Sequence, residues 1–94
     1  MIDDRALTFG ESPESEPRYD AVRTIVLFAG RDGERTVPCA ISLEALEDHF
    51  DADERNPIRA FRANRGRIEH EARRKYLAGQ VEADGSVLVR TEDL

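Results

Sequence analysis

Few side chains in this sequence are of types that do chemistry on their own. Cys39 is the single cysteine, and His49 and His70 are the two histidines. A nucleophilic thiolate needs a stabilised charge and a partnered base. Cys39 lies in an alternating stretch in which Val37, Cys39 and Ile41 point one way, so it reads as a small inward-facing hydrophobe. His49 follows an acidic run and His70 sits among arginines; no spacing ties either to Cys39. One cysteine and two scattered histidines lack zinc-ligand spacing. Asp51-Ala52-Asp53 opens like a calcium loop. Arg55 and Asn56 then stand where an oxygen ligand and a glycine are required, and Arg62 replaces the bidentate glutamate. Gly30-x-x-Gly33 is a turn, since no glycine-rich run leads from a strand into a helix. Neither a metal nor a cofactor is expected.

The arginines carry the remaining chemistry. Residues 43–54 hold six acids and no base, whereas residues 57–79 hold seven bases and two acids. Consecutive helices of opposite sign can neutralise each other, though exposed pairs are each worth under ~1 kcal/mol. On a helical wheel Arg59, Arg62, Arg67, Arg73 and Arg74 form a basic face about 140° wide, opposite the apolar stripe. That face could take an anion such as a phosphate backbone, or it could be an ordinary solvated surface. No aromatic interleaves it to stack on bases. Arg65 differs, because its wheel position falls between Ile58 and Phe61. A guanidinium there needs a partner, since an unpaired buried charge is costly. Glu69, one turn on, and Asp20, beside the first long strand, are the candidate carboxylates. The expectation is a structural polar cluster of Arg65, Glu69 and Asp20 that fixes helix to sheet, with a ligand-binding arginine as the alternative.

These residues must be positioned by elements whose periodicity is legible. Residues 6–9 make a short strand with Leu7 and Phe9 on one face. Residues 10–17, with two prolines and three glutamates, make an acidic loop. Residues 19–29 give the strongest strand signal, with Val22, Val26 and Phe28 on one face and Ile25 and Leu27 on the other. A turn at residues 30–33 leads to a strand over 35–41. Pro38 cannot donate to a ladder, so this strand is at an edge or Pro38 faces away from its partner.

Ser42 is placed to cap a short helix over 43–50. Asn56 caps a second, started by Pro57 at its first position. That helix runs to Ala78, stopped by a left-handed Gly79, with Ile58, Phe61, Ile68, Ala72 and Tyr76 as its stripe. Residues 80–82, a turn at Asp84-Gly85 and residues 86–91 make a closing strand or hairpin. The expected fold class is α+β, in the order β-β-β-α-α-β. It is a two-layer sandwich with an antiparallel sheet and both helices on one face. The whole of residues 1–94 forms one domain, with 1–5 as a flexible start.

Several strings in this order have a family likeness: Tyr19-Asp20; Val26 and Phe28; Val37-Pro38-Cys39-Ala40-Ile41-Ser42-Leu43-Glu44-Ala45-Leu46; Ala60-Phe61-Arg62-Ala63-Asn64-Arg65; Ile68-Glu69, Ala72 and Lys75-Tyr76. Together, from about Leu7 to Asp93, they resemble a small bacterial family known as domain of unknown function 1488. The order and spacing of the set carry the likeness, not any single motif. The resemblance implies a stand-alone bacterial α+β protein. It brings no activity, cofactor or catalytic residue with it.

The totals bound the function. A chain of 94 residues can bury roughly two-thirds of the surface it exposes unfolded, enough for one core without metals. The net charge of −6 argues against a dedicated nucleic-acid binder. A lone cysteine fits a reducing compartment. The longest apolar run, residues 25–29, is far too short for a bilayer, and residues 1–5 lack a signal pattern. The expected location is the cytoplasm, with no membrane association. The leading expectation is a non-enzymatic accessory or interaction protein, because the first long strand ends apolar on both faces. An exposed patch at Ile25 and Leu27 would take a partner, including a second copy in a homodimer. The alternatives are a nucleic-acid-associated regulator using the basic helix face and a small enzyme with a pocket walled by Asp20, Cys39 or Arg65.

Overall fold

The three N-terminal strands of this computed structural model form an antiparallel meander: β1 (Arg18–Asp20), β2 (Ile25–Asp32) and β3 (Arg35–Ser42). The structure describes residues 6–10 and 16–94. The expected flexible start at 1–5 and the centre of the expected acidic loop, residues 11–15, lie outside the described residues.

The strand expected over 19–29 is broken in two, and Asp20 is the cause. Its Oδ1 accepts from the backbone N–H groups of Val22 at 3.0 Å and Arg23 at 3.1 Å, which closes a turn. Thr24, at φ 53, brings the chain back into β2. Val22 is therefore 95% exposed instead of sharing a face with Val26 and Phe28. The next turn is tighter than expected. Gly33 and Glu34 alone join Asp32 to Arg35, with Gly33 at φ 63, as a two-residue hairpin requires of its first turn residue. Such a hairpin makes Asp32↔Arg35 a hydrogen-bonded pair, so alternation leaves Ala29↔Pro38 a non-bonded one. The missing N–H of Pro38 thus faces away from β2, towards the side where the next strand pairs only with residues 39–41.

Helix α1 (Leu43–Phe50) follows β3 directly, capped as expected by Ser42 Oγ, which accepts from Ala45 N at 3.1 Å. The long second helix is instead two, α2 (Pro57–Ala63) and α3 (Arg65–Leu77). Asn64 breaks it: its backbone sits at φ −125, and its Nδ2 donates to the Ala60 carbonyl at 2.9 Å. A short amide side chain competing for a carbonyl one turn back is a standard way to interrupt a helix. Asn56 does not cap α2 with its side chain. Its Oδ1 accepts from Asp53 N at 2.8 Å, and Pro57 alone marks the start. Gly79 closes α3 at φ 74, as expected.

The closing strand β4 (Val87–Val89) pairs with β3, but parallel to it. Three helices carry the chain from the end of β3 back to its beginning, and a crossover of that kind delivers a parallel strand. No strand forms over 80–82, where a tight turn bonds Glu82 N to Ser86 O at 2.8 Å. The final residues make a 3₁₀ turn, Thr91–Asp93. The fold is α+β, with a mostly antiparallel open sheet in the order β1-β2-β3-β4 and the helices on one face.

The core lies between those layers. Val26 and Phe28 of β2, Val37, Cys39 and Ile41 of β3, and Val87 and Val89 of β4 pack against Leu46, Phe61, Ile68, Ala72 and Tyr76. Each fully buried large side chain is worth about 1.5–3 kcal/mol. Phe61 and Ile68 are both fully buried, so the break at Asn64 leaves the apolar stripe intact. Leu7 also enters this core, although residues 6–9 form no strand. A single antiparallel bridge, Thr8↔Arg31, holds them. Leu7 rests on Gly30, where an added Cβ would lie 2.6 Å from Leu7 Cδ1.

Candidate functional site

Of the expected polar cluster, half assembles. Arg65 Nε meets Glu69 Oε2 at 2.8 Å across one turn of α3, and its guanidinium lies 5.5 Å from the centre of the Phe61 ring. Asp20 is not its partner, because that carboxylate is engaged in the turn after β1.

The five arginines of the expected basic face fall on two helices, Arg59 and Arg62 on α2 and Arg67, Arg73 and Arg74 on α3. The break at Asn64 lies between the two groups, and most of these arginines have partners of their own. Arg62 pairs with Glu16 at 3.1 Å, and Arg74 pairs with Glu71. Arg67 lies 5.3 Å from the centre of the Phe50 ring. Arg73 turns inward, donating from Nε to the Leu7 carbonyl at 2.8 Å with its guanidinium over Phe9. It straps the N-terminal segment to α3. Arg59 alone of the five makes no bond or ring contact among the described residues.

Cys39 is buried at 1% exposure. Burial pushes its thiol up to about 12; a hydrogen bond donated by the Gly30 backbone opposes this and the charge of Glu69 adds to it. A thiol in that state is no nucleophile near neutral pH. His49 Nε2 lies 3.0 Å from the Thr91 carbonyl, which ties α1 to the 3₁₀ turn. Among the described residues no three His, Cys, Asp or Glu side chains gather where a metal could sit.

The residue that spacing arguments passed over is Lys75. Its side chain is 7% exposed and its Nζ donates to Asp93 Oδ2 at 2.7 Å and to the Leu88 carbonyl at 2.8 Å. Asp93 Oδ2 also accepts from Arg90 N at 2.8 Å. Desolvation raises the Asp93 carboxyl, but the bonds from Lys75 and the Arg90 backbone outweigh it and hold the group below the usual carboxylate range. The signal was present: Lys75 falls seven residues after Ile68 and three after Ala72, on the stripe, and is the one lysine among fourteen basic residues. Beside it, the Tyr76 hydroxyl donates to Asp32 Oδ2, tying α3 to the end of β2.

The sheet has a second side, away from the core beneath the helices. There the register sets one row across all four strands: Arg18, Leu27, Ala40 and Leu88. Ala29 and Pro38 extend it towards the hairpin, and Ile25 and Ser42 flank it on the opposite side. Ile25, Ala29 and Ala40 are buried, yet none belongs to the core cluster beneath the helices. Leu27 and Leu88 are half-buried and Pro38 is exposed. Of the two residues of the expected exposed patch, Ile25 is buried at 6% exposure and Leu27 is half-buried. Two shallow grooves run beside the row. One, of about 370 Å³, includes Ile25, Ser42 and Leu88; the other, of about 250 Å³, includes Leu27, Ala29 and Pro38. Neither is lined by Asp20, Cys39 or Arg65.

Helices on one side of a short sheet and an apolar row on the other define a small two-layer α+β domain with an open sheet face. The sequence profile of the family described as "Protein of unknown function (DUF1488)" matches residues 12–89. The chain belongs to that family. Among solved structures it is similar to a protein of unknown function of the DUF1488 family from Shewanella loihica PV-4. That likeness has a TM-score of 0.77 at 17% identity, covering 90% of this chain and 92% of the other. At that identity it speaks for the fold. Among curated proteins none matches. Among the described residues no helix is long and apolar enough to cross a membrane.

Proposed function

We propose that this chain is a non-enzymatic interaction module that docks a protein partner on the open face of its sheet. The observation that carries this reading is the row Arg18-Leu27-Ala40-Leu88, which spans every strand and lies outside the helix-covered core. A sheet with one wet face alternates apolar and polar residues. Here the outward positions of β2 are Ile25, Leu27, Ala29 and, at the hairpin end, Arg31; those of β3 are Thr36, Pro38, Ala40 and Ser42. The apolar stretch among them is what a protein partner buries. The nucleic-acid reading has less behind it, because four of the five arginines are engaged within the fold. The enzyme reading needs a groove walled by Asp20, Cys39 or Arg65, and the grooves on this face lie elsewhere.

The test is site-specific photo-crosslinking in the native cells. Benzoylphenylalanine at Leu27 or Leu88 should capture protein at least about tenfold more efficiently than at Glu47, which is exposed on the helical side. Equal or absent capture from the sheet positions would refute the docking surface.

A further inference from the structure

We infer that residues 6–10 are a releasable strap, a segment that leaves and re-enters a strand-addition site on the edge of β2 while the rest of the fold stays intact. The site lies at the sheet edge beside α3, so it does not involve the open sheet face.

The segment is held in the way a bound peptide is held. Thr8 N donates to the Arg31 carbonyl at 2.9 Å, and Arg31 N donates to the Thr8 carbonyl at 2.8 Å. Arg73 Nε donates to the preceding carbonyl, that of Leu7, at 2.8 Å. The two residues on either side of Thr8 each have a place of their own. Leu7 is 1% exposed and rests on Gly30. The Phe9 ring lies 6.0 Å from that of Phe28, with the Arg73 guanidinium 5.6 Å from its centre. Main-chain bonds that give affinity, with places for alternate side chains that give specificity, are the components of strand addition. The chemistry selected is an extended chain with a leucine and an aromatic ring two residues apart.

Gly30 shows that the seat is built for this occupant. Its backbone is not among the positive-φ glycines, so conformation does not require a glycine there. Space does: an added Cβ would fall 2.6 Å from Leu7 Cδ1 and 3.0 Å from Phe9 Cε1.

Two observations make the strap separable. Among the described residues, this edge of β2 is paired beyond Leu27 at Arg31 alone. A single bridge has no adjoining ladder to share its opening, and Ala6, Thr8 and Gly10 are exposed, so the segment opens at a lower free energy than the whole domain. The region shared with the family, residues 12–89, contains Phe28, Gly30, Arg31 and Arg73 but none of residues 6–10. The seat belongs to that shared domain, and its resident occupant lies outside it. While attached, the strap sits at an effective concentration on the order of millimolar, so a free segment competes with it poorly.

Amide hydrogen exchange on the full chain is the first test. The Thr8 and Arg31 amides should be at least about tenfold less protected than that of Phe28, which strand alternation bonds to β3. Arg73→Met should speed exchange at Thr8 and Arg31 several-fold and leave Phe28 unchanged. Equal protection of all three amides would mean that the segment opens only with the whole fold, and overturns the inference. The second test adds a capped peptide of residues 6–10 to the Leu7→Ser chain, checked for an unchanged circular dichroism spectrum. Saturable shifts of the Gly30 and Arg31 amide signals are expected, with a dissociation constant of about 1 mM or tighter. Replacing the peptide's leucine with serine should abolish them, and the unsubstituted chain should respond at least about tenfold less. No saturable shift in the folded Leu7→Ser chain also overturns the inference. If that variant does not fold, exchange in the unsubstituted chain decides alone.

Discussion

Lys75 carries a charge into the core, and the fold answers it with two acceptors. Asp93 Oδ2 and the Leu88 carbonyl lie at 2.7 and 2.8 Å, so helix α3, strand β4 and the closing 3₁₀ turn meet at one ammonium group. Removing the ammonium strands a mostly buried carboxylate and a carbonyl together. Lys75→Met should therefore cost about 2 kcal/mol, read as a melting temperature lower by roughly 10 °C. The same carboxylate sets a pH dependence. Its folded-state pKa lies below that of the unfolded chain, so its stabilisation is complete above the unfolded value and is lost as pH falls through the folded one. Urea unfolding should show stability declining below about pH 4, with a shallower decline in Asp93→Asn. Cys39, by contrast, is held as a neutral thiol in the strand that faces the helices, which is where its alternation with Val37 and Ile41 placed it.

At the scale of elements, the breaks are made by short polar side chains that bond their own backbone. Asp20 ends β1 by accepting two N–H groups, and Asn64 ends α2 by donating one bond back to Ala60. Neither interrupts the apolar period, so hydrophobic spacing alone reads through both. The N-terminal segment shows the reverse case. Residues 6–9 have a strand pattern, yet the segment is held by one bridge, by Arg73 on the Leu7 carbonyl and by Leu7 seated on Gly30. Gly30 is in β2, where its lack of a side chain leaves the space that Leu7 fills. Gly30→Ala should lower stability by about 1–2 kcal/mol in chemical denaturation, since its Cβ would fall 2.6 Å from Leu7 Cδ1. Leu7→Ala in the same chain should reduce the cost of the Gly30→Ala step, as expected of sites in direct contact, leaving the part due to Phe9, whose Cε1 would lie 3.0 Å from the new Cβ.

Over the whole molecule, the two faces of the sheet should answer substitution differently. Val26 is fully buried beneath the helices and Leu27, its neighbour, is half-buried on the open side. Val26→Ala should cost about 2 kcal/mol. Leu27→Arg in dilute solution should stay within about 0.5 kcal/mol, as a surface change does. Equal costs would mean that the open face is a second core. The parallel pairing of β4 belongs to this scale too. The periodicity of residues 86–91 marks a strand, but its direction follows from where the three preceding helices leave the chain.

Local patterns determined most of the parts. Alternation marked β2 and β3 and the inward side of Cys39, Ser42 marked the start of α1, and the stripe through Phe61 and Ile68 marked the buried side of the helices. Those signals are legible because burial acts on every residue of a periodic element at once. The tertiary structure alone decided the direction of β4, the pairing of Lys75 with Asp93, the inward turn of Arg73 and the choice of Glu69 over Asp20 for Arg65. Each of these depends on atoms brought together from distant stretches of chain, or on which of two bonds a side chain makes, and neither is written in the period of the residues around it.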